Sequence, residues 1–323
     1  MIGNKRRFSL YGEHPLYQAF ISIVIILLLG SLLTMIFILP GLLIFGKGAS
    51  LAINPSAIFD GKNIGFMRYL LAIQDVALFI IPSVLILFLL KPESGKSLPG
   101  FNSVSVKEVL LVVVLAFCLF PVTGFTGSLN SSMHLPHWLS GVEKWMISKE
   151  DRAGSITELL IEANSPQIML INLLIVAILP AIGEELVFRG IFQKIFSDFF
   201  KSGQLAIWLT AFIFSFVHLQ FFGFIPRMIL GVVFGYLFYW GGSLWLPITA
   251  HFINNAFPVI VAYLQGTGVI KESSDVSLWS QAAALPLPLL AGIIILYYFR
   301  NNFRVSRRLD SGKTSGLNDQ DTG

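Results

Sequence analysis

Not one charged residue occurs between Ala19 and Phe45, and Leu, Ile and Phe fill most of that run. A helix needs about 20 apolar residues to cross the hydrocarbon core of a bilayer, so the run is long enough to span. In lipid a lone segment must satisfy its own backbone N–H and C=O groups, which makes it helical. It is too long for a signal-peptide core and lacks an early small-residue cleavage site, which predicts a retained first span. Comparable runs recur at about Tyr69–Leu90, Val109–Phe125, Gln167–Phe200, Leu205–Phe221, Pro226–Trp240, Leu244–Leu264 and Ala282–Phe299. Hydrophobic residues make up 55% of the chain and charged residues 12%, which excludes a soluble domain of ordinary size. The expected fold class is all-α: a polytopic membrane helical bundle of about eight transmembrane helices plus a short interfacial helix.

The net charge of +4 sits largely in the tails, at Lys5, Arg6 and Arg7 and at Arg300, Arg304, Arg307 and Arg308. That placement reads as membrane-topology charge and argues against a nucleic-acid partner. An even number of spans with two basic tails predicts both termini on the cytoplasmic side. The retained basic N-terminus and single cysteine fit a prokaryotic inner membrane. Cys118 lies inside an apolar run, so no intrachain disulfide and no cysteine-based metal cluster is possible. Loop chemistry marks Asn54-Pro55, Asp60-Gly61 and the basic turn from Lys91 to Pro99. In the polar region 130–165, Trp138, Leu139, Val142, Trp145 and Met146 recur at helical spacing, which predicts an interfacial helix near 138–150. Ser155 with Glu158 has the spacing of a capping box for a second short helix.

Ionisable groups inside a membrane span are expensive and mark sites. They fall at Asp75, at the set Glu184, Glu185 and Arg189, at His218 and at His251. Glu185 and Arg189 stand four apart on a helix and can form an internal ion pair. Glu184, turned away by about 100°, is the carboxylate left free for a reacting group. His218 shares a helix face with Phe214, and His251 shares one with Asn255. A carboxylate base, two imidazoles and an amide donor are parts for hydrolysing an amide bond. Each also has a plain structural use: packing for a histidine, an interhelical hydrogen bond for Asn254 with Asn255, an internal ion pair for Glu185. Asp75 is either a structural partner for an arginine such as Arg227 or a distant contributor to the site.

The order Glu184-Glu185-x-x-x-Arg189, then Phe214-x-x-x-His218, then His251-x-x-x-Asn255 resembles the three motifs of the CPBP (CAAX protease and bacteriocin-processing, or Abi) intramembrane proteases. That family is related to the type II CAAX prenyl endopeptidases. The likeness covers roughly Ile156 to Pro258. It implies a division into N-terminal membrane helices with the interfacial helix (1–155) and a protease-like core (156–260). A last membrane helix (261–304) and a polar, disordered tail (305–323) would follow, all within one integral-membrane domain.

The resemblance implies an endopeptidase acting on a peptide or protein substrate within or at the lipid bilayer. Glu184 would be the base, His218 and His251 would complete the water or metal site, and Asn255 would stabilise the oxyanion. Glu185 and Arg189 would be supporting residues. The family is commonly called metalloprotease, and Glu184, His218 and His251 form an acceptable set for one Zn2+ with a position open for water. Against this no His-Glu-x-x-His helix is present, and a Glu–His pair can activate water unaided; the balance here favours the metal-free site. The competing readings are a non-catalytic immunity or scaffold protein of the same fold and, last, a transporter.

Overall fold

A computed structural model describes residues 9–46, 63–91, 98, 100–271 and 277–315, with side chains described as far as residue 302. The basic residues 5–7, the turns at 54–55 and 60–61, most of the 91–99 loop and the side chains of Arg304, Arg307 and Arg308 lie outside the described residues.

Among the described residues every regular element is a helix: α1 (Pro15–Ile44), α2 (Ile64–Leu89), α3 (Val106–Ser131), α4 (Ser140–Ile161), α5 (Pro166–Phe200), α6 (Gly203–Phe216), α7 (Phe224–Gly241), α8 (Trp245–Gly266), α9 (Leu278–Ala284) and α10 (Pro286–Ser315). Six of them are long and apolar enough to span a membrane, and the bent pair of α9 with α10 makes up to seven. The chain is an integral membrane helical bundle. The count falls short of eight at α6, whose 14 residues reach only about 21 Å along the axis, short of a full crossing. The expected even number of spans therefore does not follow from helix length.

Helix α1 shows how such a bundle packs. Its buried positions are Gln18, Ser22, Ile26, Gly30 and Gly41, while Leu28, Leu32 and Met35 are exposed. Lipid is as apolar as leucine, so the inward face is selected for small and polar side chains that let backbones approach. A Cβ on Gly41 would overlap the Tyr69 ring of α2, whose hydroxyl donates to the Phe37 carbonyl at 2.7 Å.

Helices α2 and α5 are continuous but not uniform. Wider π-helical turns occupy Gln74–Ile80 in α2, and Leu173–Ile178 and Leu186–Gln193 in α5. The first two run directly into Pro82 and Pro180. A proline lacks the N–H for its turn and crowds the carbonyl four residues back, and a widened turn relieves both. The third follows the glutamate pair and has no proline. The two modified helices cross at Gly183, where a Cβ would stand 2.9 Å from Phe79 Cβ. Gly183→Val is expected to cost about 1–3 kcal/mol of stability through overpacking, read as a lowered melting temperature in detergent. An unchanged melting temperature would show that the crossing has room to spare.

Region 130–165 differs from expectation. A 3-10 turn, His137–Leu139, leads into one 22-residue helix, α4, and no second helix starts at Ser155. No proline interrupts positions 150–160, and the Ser155 hydroxyl donates to the Asp151 carbonyl at 2.9 Å, as mid-helix serines do. The exposed Trp138, Val142 and Trp145 suit the interfacial placement expected for its first half. Arg68 on α2 holds the far end, donating to the carbonyls of Leu160 and Glu162 at 3.1 and 3.2 Å. At the chain's end, α10 continues as helix to Ser315, across positions expected to be disordered.

Candidate active site

Helix α6 stops at Phe216, and the chain from 217 to 223 is not regular helix. Irregular backbone at membrane depth is tolerated only where protein covers it or a cavity wets it. Both hold here. Asn130 on α3 clamps the loop, donating to the Phe221 carbonyl and accepting from the Ile225 N–H, each at 3.0 Å. The Ser215 hydroxyl donates to the Phe224 carbonyl at 2.6 Å, and Glu150 on α4 accepts from the Phe222 N–H at 3.4 Å. Leu219 is held in the left-handed region at φ 53°, a conformation that costs a non-glycine residue about 1–2 kcal/mol. The other side of the loop lines a cavity of about 540 Å3.

Three helices and a loop supply the charged, imidazole and amide groups of that cavity. Glu184 comes from α5, His218 and Gln220 from the loop after α6, Arg227 from α7, and His251, Asn254 and Asn255 from α8. Thr157 and Ile161 of α4 also line it. All four residues read from the sequence as chemical, Glu184, His218, His251 and Asn255, thus meet in one place.

Glu184 is the point of convergence. Its Oε1 lies 4.0 Å from His218 Nε2 and its Oε2 lies 3.7 Å from His251 Nε2. Both separations exceed a direct hydrogen bond, and one water can bridge them. The tautomers follow from the other ring nitrogens. His218 Nδ1 is 2.7 Å from the Phe214 carbonyl, which can only accept, so Nδ1 donates. His251 Nδ1 is 2.8 Å from Oε1 of Glu185 and donates to that carboxylate. When the rings are neutral, each therefore turns an Nε2 lone pair towards Glu184.

The neighbouring glutamate is placed differently. Glu185 and Arg189 are fully buried, whereas the Glu184 side chain keeps 17% of its surface open to the cavity. Arg189 donates to Glu185 Oε1 at 2.7 Å and to the Gly231 carbonyl of α7 at 3.0 Å. Its guanidinium carbon lies 4.8 Å from the Phe214 ring centre and 5.5 Å from that of Phe234. Phe234 in turn stacks on His251, centroids 5.3 Å apart. Glu185 Oε1 serves Arg189 and His251 together, so the buried pair orients one of the two imidazoles.

The sequence reading paired Glu185 with Arg189 but missed its bond to His251, because nothing in spacing links positions 66 residues apart. It also placed Arg227 only as a partner for Asp75. In the structure Asp75 is buried on α2, where its carboxyl group interacts electrostatically with Glu184. Among the described residues no ion pair joins it to Arg227, which instead donates to Gln220 Oε1 at 2.6 Å.

Two imidazoles and a carboxylate are donor types that suit zinc, and each ring's second nitrogen is anchored as in metal sites. The spacing does not follow: among the described residues no three His, Cys, Asp or Glu side chains are arranged to hold a metal ion. The arrangement as it stands can hold a water between a carboxylate and two imidazole lone pairs, beside amide donors.

Residues 166–257 match the family model described as Type II CAAX prenyl endopeptidase Rce1-like. The segment that carries most of the cavity lining resembles the Rce1-like family. It begins at the first turn of α5 and ends within α8, so it takes in Glu184, His218, His251 and Asn255. Among curated proteins, the "Uncharacterized protein YpbD" of Bacillus subtilis (strain 168) is 30% identical over 120 residues. That alignment covers 36% of this chain and 56% of the relative, so the chain spans about half the length of the curated protein it matches. No solved structure matches the chain. Helices α1 to α4 lie outside the Rce1-like segment, although α3 and α4 supply part of the cavity wall through Thr123, Thr157 and Ile161.

Proposed function

We propose that the chain is an intramembrane endopeptidase that hydrolyses peptide bonds in a membrane-associated or lipid-linked peptide with a Glu184-activated water. One observation carries the reading: Glu184 meets two imidazole Nε2 lone pairs in a cavity lined mainly by an Rce1-like segment. A water donating one hydrogen to Glu184 and the other to an imidazole nitrogen is oriented with its own lone pair outward, towards a carbonyl carbon. Glu184 takes the proton as the water adds, and an imidazole relays it to the departing amine. Asn255 lines the same cavity and accepts from Asn254 through Oδ1 at 3.2 Å, which leaves its own amide N–H groups to donate to the oxyanion. Glu185, through His251 Nδ1, keeps that ring in the useful tautomer. The setting is the membrane of a prokaryotic cell, and the partner is a peptide at the bilayer.

Full-length protein purified in detergent and incubated with a mixed library of apolar peptides should release fragments detectable by mass spectrometry, with chelator leaving the rate unchanged. A metal retained by wild type and lost in both His218→Ala and His251→Ala, together with chelator inhibition, would replace the metal-free form of the mechanism. Asn255→Ala is expected to lower kcat by roughly 10²–10³-fold, as loss of one oxyanion donor does, with little change in KM. An effect confined to KM would remove Asn255 from the oxyanion role and leave it a binding residue.

A further inference from the structure

We infer that Arg227 is the cavity's receptor for a carboxylate on the peptide, and so decides which peptides reach Glu184. The inference rests on the endopeptidase reading above and adds to it a substrate chemistry and a residue.

Arg227 stands in the second turn of α7 and lines the same cavity as Glu184. Its guanidinium folds back over Gly223, where a Cβ would lie 3.0 Å from Nη2. Phe234, which stacks on His251, lies two turns further along the same helix. The cation is therefore on the loop side of the cavity and the imidazole on the inner side. A peptide bond seated at Glu184 would have the rest of its chain pass Arg227.

Its partners are those of a binding group rather than of a structural ion pair. Within the chain it donates to the Gln220 side-chain oxygen at 2.6 Å and to the Gln220 carbonyl at 3.5 Å, both neutral. Glu150 and Glu184 interact with it electrostatically, yet among the described residues neither carboxylate stands within ion-pair distance. The contrast is Arg189, sealed in the core on Glu185. A guanidinium has five N–H donors, and none of the Arg227 nitrogens is both buried and unpaired, so its remaining donors open onto the cavity.

A half-buried guanidinium that, among the described residues, has no carboxylate within ion-pair distance is costly, and an incoming anion recovers that cost. The planar fork matches a carboxylate through two parallel hydrogen bonds. A phosphate carries up to twice the charge and would be repelled by Glu184 and Glu150, which favours the singly charged group. The carboxylate is either the peptide's own C-terminus or an Asp or Glu side chain near the cleaved bond, and the two sources separate by experiment.

The test uses full-length protein and three versions of a cleaved peptide: free C-terminal acid, C-terminal amide, and amide with one Glu placed in turn at each position after the cleaved bond. Wild type is expected to favour one carboxylate-bearing form over the plain amide by roughly 10- to 100-fold in KM, the usual worth of a charge-assisted hydrogen-bonded pair. Arg227→Gln should remove that preference, so that acid and amide forms share one KM, and Arg227→Lys should restore part of it. A binding arm with Glu184→Gln protein and fluorescent acid and amide peptides reads the same preference without turnover, and also applies to peptides that are not cleaved. Equal handling of acid and amide forms by wild type, or a preference that survives in Arg227→Gln, overturns the inference and leaves the endopeptidase reading intact. Retention of cleavage in Glu184→Ala overturns that reading instead, and the binding arm then still decides whether Arg227 selects carboxylates. Should Arg227→Gln prove unfolded by size-exclusion profile, Arg227→Lys and Gln220→Leu, which frees the guanidinium, carry the comparison.

Discussion

Glu184→Ala is expected to abolish peptide cleavage while leaving the protein inserted and folded. The two halves of that result have separate causes. A positioned general base is worth roughly 10²–10⁴-fold in rate, and Glu184 is the group on which both imidazole nitrogens converge. Among the described residues its own oxygens make no direct hydrogen bond: the imidazole nitrogens stand at 4.0 and 3.7 Å. An under-paired carboxylate in an apolar bundle is a burden on the fold, so its removal should leave stability unchanged or slightly raised. Glu184→Gln keeps the shape and removes the base, and should be as inactive as the alanine variant. Cleavage rates on any processed peptide, with melting temperature in detergent beside them, give the answer. A well-folded, active Glu184→Ala protein would end the endopeptidase proposal and favour the immunity or scaffold alternative.

One residue along, the opposite pattern is expected. Arg189→Ala strands the Glu185 carboxylate in a fully buried position, together with the bond to His251 that depends on it. Breaking a buried pair from one side costs about 3–5 kcal/mol, because a charge is left without its partner. The Gly231 carbonyl also loses its donor, and the Phe214 and Phe234 rings lose the cation packed between them. Arg189→Ala should therefore fall out during purification or melt far below wild type. Lost activity would follow both from lost protein and from the lost orientation of His251. Glu185→Ala should behave alike. A variant at Arg189 with native stability would mean that the pair is there for chemistry rather than for the fold.

Much of this architecture was open to reading in the sequence, for physical reasons that are easy to name. Lipid forces a spanning segment to be helical and apolar, so length and hydropathy located α1, α2, α3, α5, α7 and α8 directly. The site residues stood out because a charge or an imidazole in such a run needs a reason. What pattern could not reach was geometry that depends on deviations from the ideal helix. Leu205–Phe221 reads as apolar throughout, yet the helix ends at Phe216, because Asn130, Ser215 and Glu150 satisfy the backbone that leaves it. Two of those three come from α3 and α4, far away in sequence. The π-helical turns had a partial signal in Pro82 and Pro180; the one beside Arg189 had none. The tie between Glu185 and His251 joins two helices whose relative rotation is set by packing alone. Region 130–165 misled for the opposite reason: Ser155 and Glu158 satisfy a local pattern that an uninterrupted helix overrides.

The short α6 has a bearing on the bilayer itself. Its 14 residues leave about 9 Å of a typical hydrocarbon thickness uncrossed. A bilayer matches so short an element by thinning beside it, at a modest cost for each ångström. Such thinning would draw water and headgroups down towards the loop that carries His218. A hydrolase embedded in hydrocarbon must obtain both a wetted peptide bond and a fresh water for each turnover, and a local dimple in the membrane would supply them without a pore through it.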